Sequence, residues 1–283
     1  MADTAQIPVR PREDVDPEGD LVLLVGPDEV GIRVNSKVLS RASPVFAAML
    51  GPRFAEGRAL QYLAPAEFSS IPLPEDDVDA MIRLCRAFHF KLSINEELVT
   101  FDFCLKLASL CDKYDASIAL GSWSEVWMKP FRDSFNGDTS YFGGLYIARS
   151  FNNHRVFWLI TRNIMCNLSA ESVKLPDSFP KDMLPDRLVD AINAARGSVL
   201  RQLQDTIEGI IAPYLEMPCP LSIYHRQKQE KCGILTLGGH YFQELARLGF
   251  WPSSKLLYQS SPAHIAEELP KKDYVFVVSM RVR

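Results

Sequence analysis

"GIRVNSKVLSRASPVFAAML", residues 31–50, is the stretch that decides the fold. It opens as a strand, with Ile32 and Val34 on one face. The strand breaks at Asn35-Ser36. Ser36 is placed to cap a short helix over 37–41. Ser43 is placed to cap the next, with Pro44 at the first helical position, where its missing N–H costs nothing. Val45, Phe46, Ala48, Met49 and Leu50 supply more than one apolar face, so this second helix is expected to be largely buried. Gly51-Pro52 ends it. The block contains no metal-ligand pair, no nucleophile constellation and no phosphate-cradling loop. It is dense in structural signals and empty of chemistry.

Working outward, "LVLLV" (21–25) reads as a buried strand. "GPDE" is turn chemistry, and "VGIRV" (30–34) returns as the second arm of a hairpin. After an irregular loop, "SSIPL" (69–73) is a short strand. "PEDDVDAMIRLCRAFHF" follows as a helix with acids in its first turn, where the dipole favours them. Val78, Met81, Ile82, Cys85 and Phe88 mark its apolar stripe. The next helix carries Phe101, Cys104, Leu105, Ala108 and Cys111 in register. "ASIALGSWSEVWM" continues with Trp123 and Trp127 four apart, a spacing at which aromatics pack. "NGDTS" (136–140) reads as a linker or cap. Helices are then expected near 140–150, from about 154 to 167, and from about Pro185, the last a long packing helix. "GILTLGGHYFQELARL" reads as a further helix, and "DYVFVVSMRV" has strand composition.

The bulk numbers set limits. At 283 residues the chain exceeds one small core and suggests two domains. Hydrophobic residues make up 47% and charged residues 23%, a globular balance. A net charge of −4 disfavours a module that reads the nucleic-acid backbone. No apolar run is long enough to span a bilayer. The first twenty residues, "MADTAQIPVRPREDVDPEGD", hold no apolar core of a secretory signal. The six cysteines are scattered and several fall on apolar helix faces. Reduced thiols in cytoplasm or nucleus are the expectation.

Catalysis fails on inventory. The sequence has no G-x-S-x-G, no G-x-x-x-x-G-K-[ST], no H-E-x-x-H and no G-x-G-x-x-G. His89 and Cys85 share a helix face, but that face reads as core and no third group orients them. Cys219, His225, Cys232 and His240 lack the tight Cys-x(2–4)-Cys knuckle of structural zinc sites. "HRQKQEK" (225–231) reads as a solvated loop. No metal and no cofactor are expected.

The order of these features resembles the BTB/POZ family. Asp20 with the strand 21–25 resembles the family's opening acidic residue and strand. "RVNSKVLSRASPVFAAML" is similar to its strand, short helix and Ser-Pro-initiated helix. "FAEG" (54–57) looks like the loop that follows. "IPLPEDDVDAMIRLCRAFHFK", ending near His89, and "LASLCDKYDA" resemble the later strand and helices. "WSEVWMKP", "YIARSFNNHRVFWLITRNIMCN", "LPDRLVDAINAARGSVLRQL" and "LGFWP" extend the resemblance to fungal-type members with a helical C-terminal region. The resemblance implies an α+β fold, a small sheet flanked by a helical cluster, followed by an all-α region. The expected parts are a disordered N-terminal arm over 1–19, a BTB/POZ domain over 20–128 and a helical C-terminal domain over 129–283.

The resemblance also implies a role: protein–protein association without catalysis. Two finer forms are a substrate adaptor for a cullin-based ubiquitin ligase and a transcriptional or chromatin co-factor that acts through partners. Phe54-Ala55-Glu56 resembles the hydrophobic-x-Glu motif that some members present to a cullin, an apolar anchor beside a carboxylate. Asp20, Arg33 and Lys37 are the charges that would line a BTB-like pocket, acid facing base. Two departures stand out. Asn35 occupies a position where the family commonly has histidine. The polar "PREDVDPEG" replaces the helix and strand that swap across family homodimers, so a monomer or weak self-association is expected.

Overall fold

The computed structural model describes residues 11–62, 68–93, 99–131, 138–167, 173–175, 177, 179–180, 183–216, 245–248 and 261–268. It is a mixed α+β protein with a small four-stranded sheet and many helices. Two compact units divide it, 1–160 and 161–283, and the division falls within a helix, His154–Asn167. The expected boundary at 128/129 lies inside the first unit.

The sheet has the order β1-β3-β2-β4. β2 (Leu21–Val25) and β3 (Val30–Val34) form the antiparallel hairpin read from the sequence, with Leu21 opposite Val34 and Val25 opposite Val30. Gly26, at φ 75°, opens the turn, a conformation glycine adopts without steric cost. β4 (Ser69–Leu73) runs parallel to β2, with Ile71 and Leu73 turned inward. Leu21, Val22 and Leu23 are fully buried, as suits a central strand.

Over residues 11–19 the first strand corrects the expectation of a disordered arm; residues 1–10 of that arm lie outside the described residues. β1 (Pro11–Asp14) pairs in parallel with β3, and Val15 beside it is 1% exposed. Strand pairing uses backbone groups, so a polar composition does not prevent it. Proline and charges suit an edge strand, which must discourage further pairing. Arg86 Nη2 meets Glu13 Oε1 at 2.8 Å, and Lys91 Nζ donates to the Val15 carbonyl. These ties hold β1 against the end of α4 (Val78–Phe88).

Local chemistry sets the helices. Asn35, rather than Ser36, is the N-cap of α1 (Ser36–Ala42), accepting from the Lys37 N–H at 3.1 Å. Ser43 caps α2 (Pro44–Met49) through a 3.0 Å bond from the Phe46 N–H, with Pro44 at its first position. α2 is not largely buried as expected: Phe46 alone is fully enclosed, while Ala47 and Ala48 face solvent. Residues 55–61, read as loop, form α3 (Ala55–Gln61).

α4 and α5 (Phe101–Lys113) pack together, joined by Lys106 Nζ to Asp77 Oδ2 at 2.8 Å. α6 (Ser117–Met128), α7 (Asp138–Ser150) and α8 (His154–Asn167) follow. α7 packs on α5, and Gly143 faces Phe101 closely enough that a Cβ there would lie 2.8 Å from the ring. Asn153 ties the α7–α8 turn to α6. Its Oδ1 accepts the Val156 N–H at 3.0 Å and its Nδ2 donates to Ser124 Oγ at 3.2 Å.

α4, α5 and α7 end in the same way. Phe90, Asp115 and Asn152 adopt positive φ, and the next N–H reaches back five residues: Lys91 to Arg86, Ala116 to Cys111, Asn153 to Ala148. This is the Schellman closure, made here without glycine.

The second unit contains α9 (Asp186–Glu216) and α10 (Pro262–Glu268). Leu200, Leu203 and Ile207 pack with Leu245 and Ile265. The Asn193 amide clips the backbone of Val173, accepting its N–H at 2.8 Å and donating to its carbonyl at 2.9 Å.

One node of the first unit is testable. Ser43 Oγ both caps α2 and donates to the Tyr114 carbonyl at 2.5 Å, in a fully buried position. Ser43→Ala removes the cap and orphans that carbonyl. The expected loss is about 2 kcal/mol in chemical denaturation. A loss below about 0.5 kcal/mol, the level of an ordinary surface substitution, contradicts the assignment.

Candidate functional site

Five residues carried the functional expectations, and the structure places them at two locations. Asp20, Arg33 and Lys37 lie where the hairpin meets α1. Phe54 and Glu56 lie at the head of α3.

At the first location the charges do not face one another. The Asp20 carboxylate is taken by Ser36: Oδ1 accepts its N–H at 2.8 Å and Oδ2 its hydroxyl at 2.6 Å. It therefore satisfies an otherwise orphaned donor of the first turn of α1. Arg33 Nε donates to the Gly19 carbonyl at 2.9 Å, and the guanidinium carbon lies 5.9 Å from the Phe68 ring centroid. Lys37 is exposed. Among the described residues no ion pair joins Asp20 to Arg33 or Lys37. The arrangement orders a strand–helix junction and forms no acid–base pocket.

Asn35 takes part in the same junction. Its N–H donates to His89 Nε2 at 3.1 Å, so that nitrogen is the acceptor and Nδ1 carries the proton, donated to the Cys85 carbonyl at 2.7 Å. His89 thus bridges the end of α4 to the start of α1 as a neutral imidazole. Burial lowers its pKa, assisted by Lys91, against the opposing pull of the Cys85 carbonyl and Asp16. Sequence reading placed His89 and Cys85 on one helix face. The structure joins them by a backbone carbonyl, with no thiol chemistry. Burial pushes the thiols of Cys85, Cys104 and Cys111 up to about 12, so they stay protonated and inert near neutrality.

At the second location the side chains are outward. Phe54 is the N-cap residue of α3, in extended conformation, and its ring is 50% exposed. Glu56 sits in the first turn, half-buried. Positions two apart on a helix point about 160° from each other, so ring and carboxylate occupy opposite flanks. Gly57 explains the seating of α3. A Cβ there would lie 2.0 Å from the Gly51 carbonyl oxygen and 2.5 Å from the Leu50 carbonyl. Only glycine lets α3 lie directly on the backbone that ends α2, with Phe54 left outside.

Other expectations can be placed briefly. Trp127 is buried against Phe151 at 5.6 Å and against Trp123 at 6.0 Å, as core aromatics. Cys219, His225, Cys232 and His240, the run 225–231 and the strand-like 273–282 lie outside the described residues. Among the described residues no cluster of three or more His, Cys, Asp or Glu is arranged to hold a metal ion, and no helix is long and apolar enough to cross a membrane. Sequence reading missed α3 itself and the exposed Tyr62 at its end. The helix-forming run "AEGRALQ" was the available signal.

No protein-family model matches the chain, and no curated protein matches it.

Two outcomes follow from this geometry. Gly57→Ala forces α3 off its seat, at an expected cost of about 1–3 kcal/mol, read as a lower denaturation midpoint; an unchanged midpoint refutes the close approach. The second concerns pH. Because the folded-state pKa of His89 lies below its ordinary 6.5, its contribution to stability is complete above that value. It is lost as pH falls from there toward the lowered folded-state value. His89→Gln keeps an acceptor but does not titrate, so its stability between pH 7.5 and 5.5 is expected to fall less than wild type's. Equal falls contradict the neutral bridge.

Proposed function

We propose that the chain is a non-catalytic protein-association module of the BTB/POZ type. A hairpin leads into two capped short helices, then a strand parallel to the first arm, then a helical cluster. That order supports the proposal, since it is the order the resemblance implies. The observation that carries it is Phe54: a large apolar side chain, half exposed, at the head of a helix that Gly57 seats against backbone. Isolated exposed apolar residues are ordinary. An aromatic carried outward on a seated helix suits an interface anchor, because its backbone is already ordered before it docks. The second, helical unit presents or recruits a further protein. Partners are proteins; self-association is weak or absent, since β1 occupies the β3 edge of its own chain.

The finer form, an adaptor for a cullin scaffold, is favoured by the exposure of Phe54 and tested through it. Wild type is expected to co-purify with a cullin, and Phe54→Ala to lose that retention with the fold intact by circular dichroism. Glu56→Ala, on the opposite flank, is expected to weaken retention less. Retention unchanged in Phe54→Ala with Glu56→Ala, or absent in wild type, removes the cullin form.

A further inference from the structure

α3 is short, yet it carries two of the most exposed aromatic side chains in the described structure. Phe54 is 50% exposed at its N-cap and Tyr62 is 85% exposed at its C-cap. Arg58 lies midway, also exposed. The three are spaced by four, so on helical geometry they fall within an arc of about 80° and span about 12 Å. The Arg58 N–H bonds the Phe54 carbonyl at 3.1 Å, confirming the helical step between them. None of the three side chains has a hydrogen bond, ion pair or ring contact among the described residues.

Rows of residues four apart are the ridges by which one helix packs into the groove of another. Aromatic residues and arginine are the types enriched in interface hot spots. The charge of this ridge is the informative part. Arg58 stands between the rings, and exposed Arg53 precedes α3. Glu56, the only acid in the segment, lies on the far flank. The exposed charges of residues 53–62 on this flank are Arg53 and Arg58, on a chain whose net charge is −4. A partner seated on the ridge must bring a carboxylate to Arg58 and apolar groups to both rings.

We infer that Phe54, Arg58 and Tyr62 form a docking ridge for an acidic amphipathic helix of a partner protein, with apolar residues about two turns apart and a carboxylate between them. The inference rests on the association reading above and specifies its partner's chemistry. It differs from a hydrophobic-x-Glu contact, because the charge that accompanies Phe54 is Arg58 and its sign is opposite.

The test is selection from a displayed library of helical peptides, with leucine fixed eight positions apart and the four central positions randomised. The full-length chain serves as bait. Wild type is expected to enrich Asp or Glu over Lys or Arg at the central positions by about fivefold, a modest Arg–carboxylate preference. Arg58→Glu is expected to reverse the preference, and Phe54→Ala with Tyr62→Ala to abolish enrichment, all with unchanged circular dichroism. No enrichment, enrichment insensitive to both variants, or an acidic preference retained by Arg58→Glu overturns the inference. So does a dimer in light scattering that Tyr62→Ala dissolves, which makes a second copy the occupant. Cullin retention dependent on Phe54 alongside any of these leaves the association reading standing and removes only the acidic-helix partner.

Discussion

Tyr114 closes the first unit. Its ring stacks on Phe46 with centroids 4.3 Å apart and planes within 3°. Its carbonyl accepts from Ser43, and its hydroxyl donates to Asp76 Oδ2 at 2.5 Å. Lys113 Nζ meets the other Asp76 oxygen at 2.7 Å. One residue at the end of α5 thereby fixes α2, the turn after β4 and the α5 terminus. Asp76 is buried, and a buried carboxylate is tolerable only when its oxygens are matched. Burial and the Asp76 carboxylate both raise the tyrosine pKa, so the phenol remains the donor at any physiological pH. With α2 held by this node, Gly57 can seat α3 on the α2 terminus and leave Phe54 in solvent.

Much of this was legible. The three strands 21–25, 30–34 and 69–73 follow from apolar alternation and turn residues, and the Ser43-Pro44 start of α2 from capping chemistry. What escaped was decided by partners distant in sequence. β1 owes its place to β3, Arg86 and Lys91, which nothing within "PREDV" announces. Asn35 displaces Ser36 as the cap because Asp20 and the Ser36 N–H and hydroxyl find each other. Apolar content predicted a buried α2, but only Phe46 meets the Tyr114 ring; the alanines have nothing above them.

The site was legible by residue type and not by direction. Phe54 and Glu56 were singled out as one motif, and helical geometry separates them. Arg58 and Tyr62 were passed over because the segment read as loop, where spacing by four has no meaning. Asp20 and Arg33 share a neighbourhood but have different partners, and Lys37 beside them is exposed. The buried thiols and the neutral His89 serve packing and helix closure. Phe54, Arg58 and Tyr62 are left outward.

Hydrogen exchange on the full chain, comparing wild type with Tyr114→Leu, tests the central claim most directly. The substitution deletes both the ring that stacks on Phe46 and the hydroxyl that matches Asp76, and keeps an apolar side chain at the position. The account predicts a concerted loss of protection, about 2 kcal/mol, in α2, in the turn over residues 74–77 and in α5, since all three depend on the same node. Loss confined to the last turn of α5, with α2 unchanged, would show that Tyr114 merely terminates a helix and that the scaffold does not depend on it.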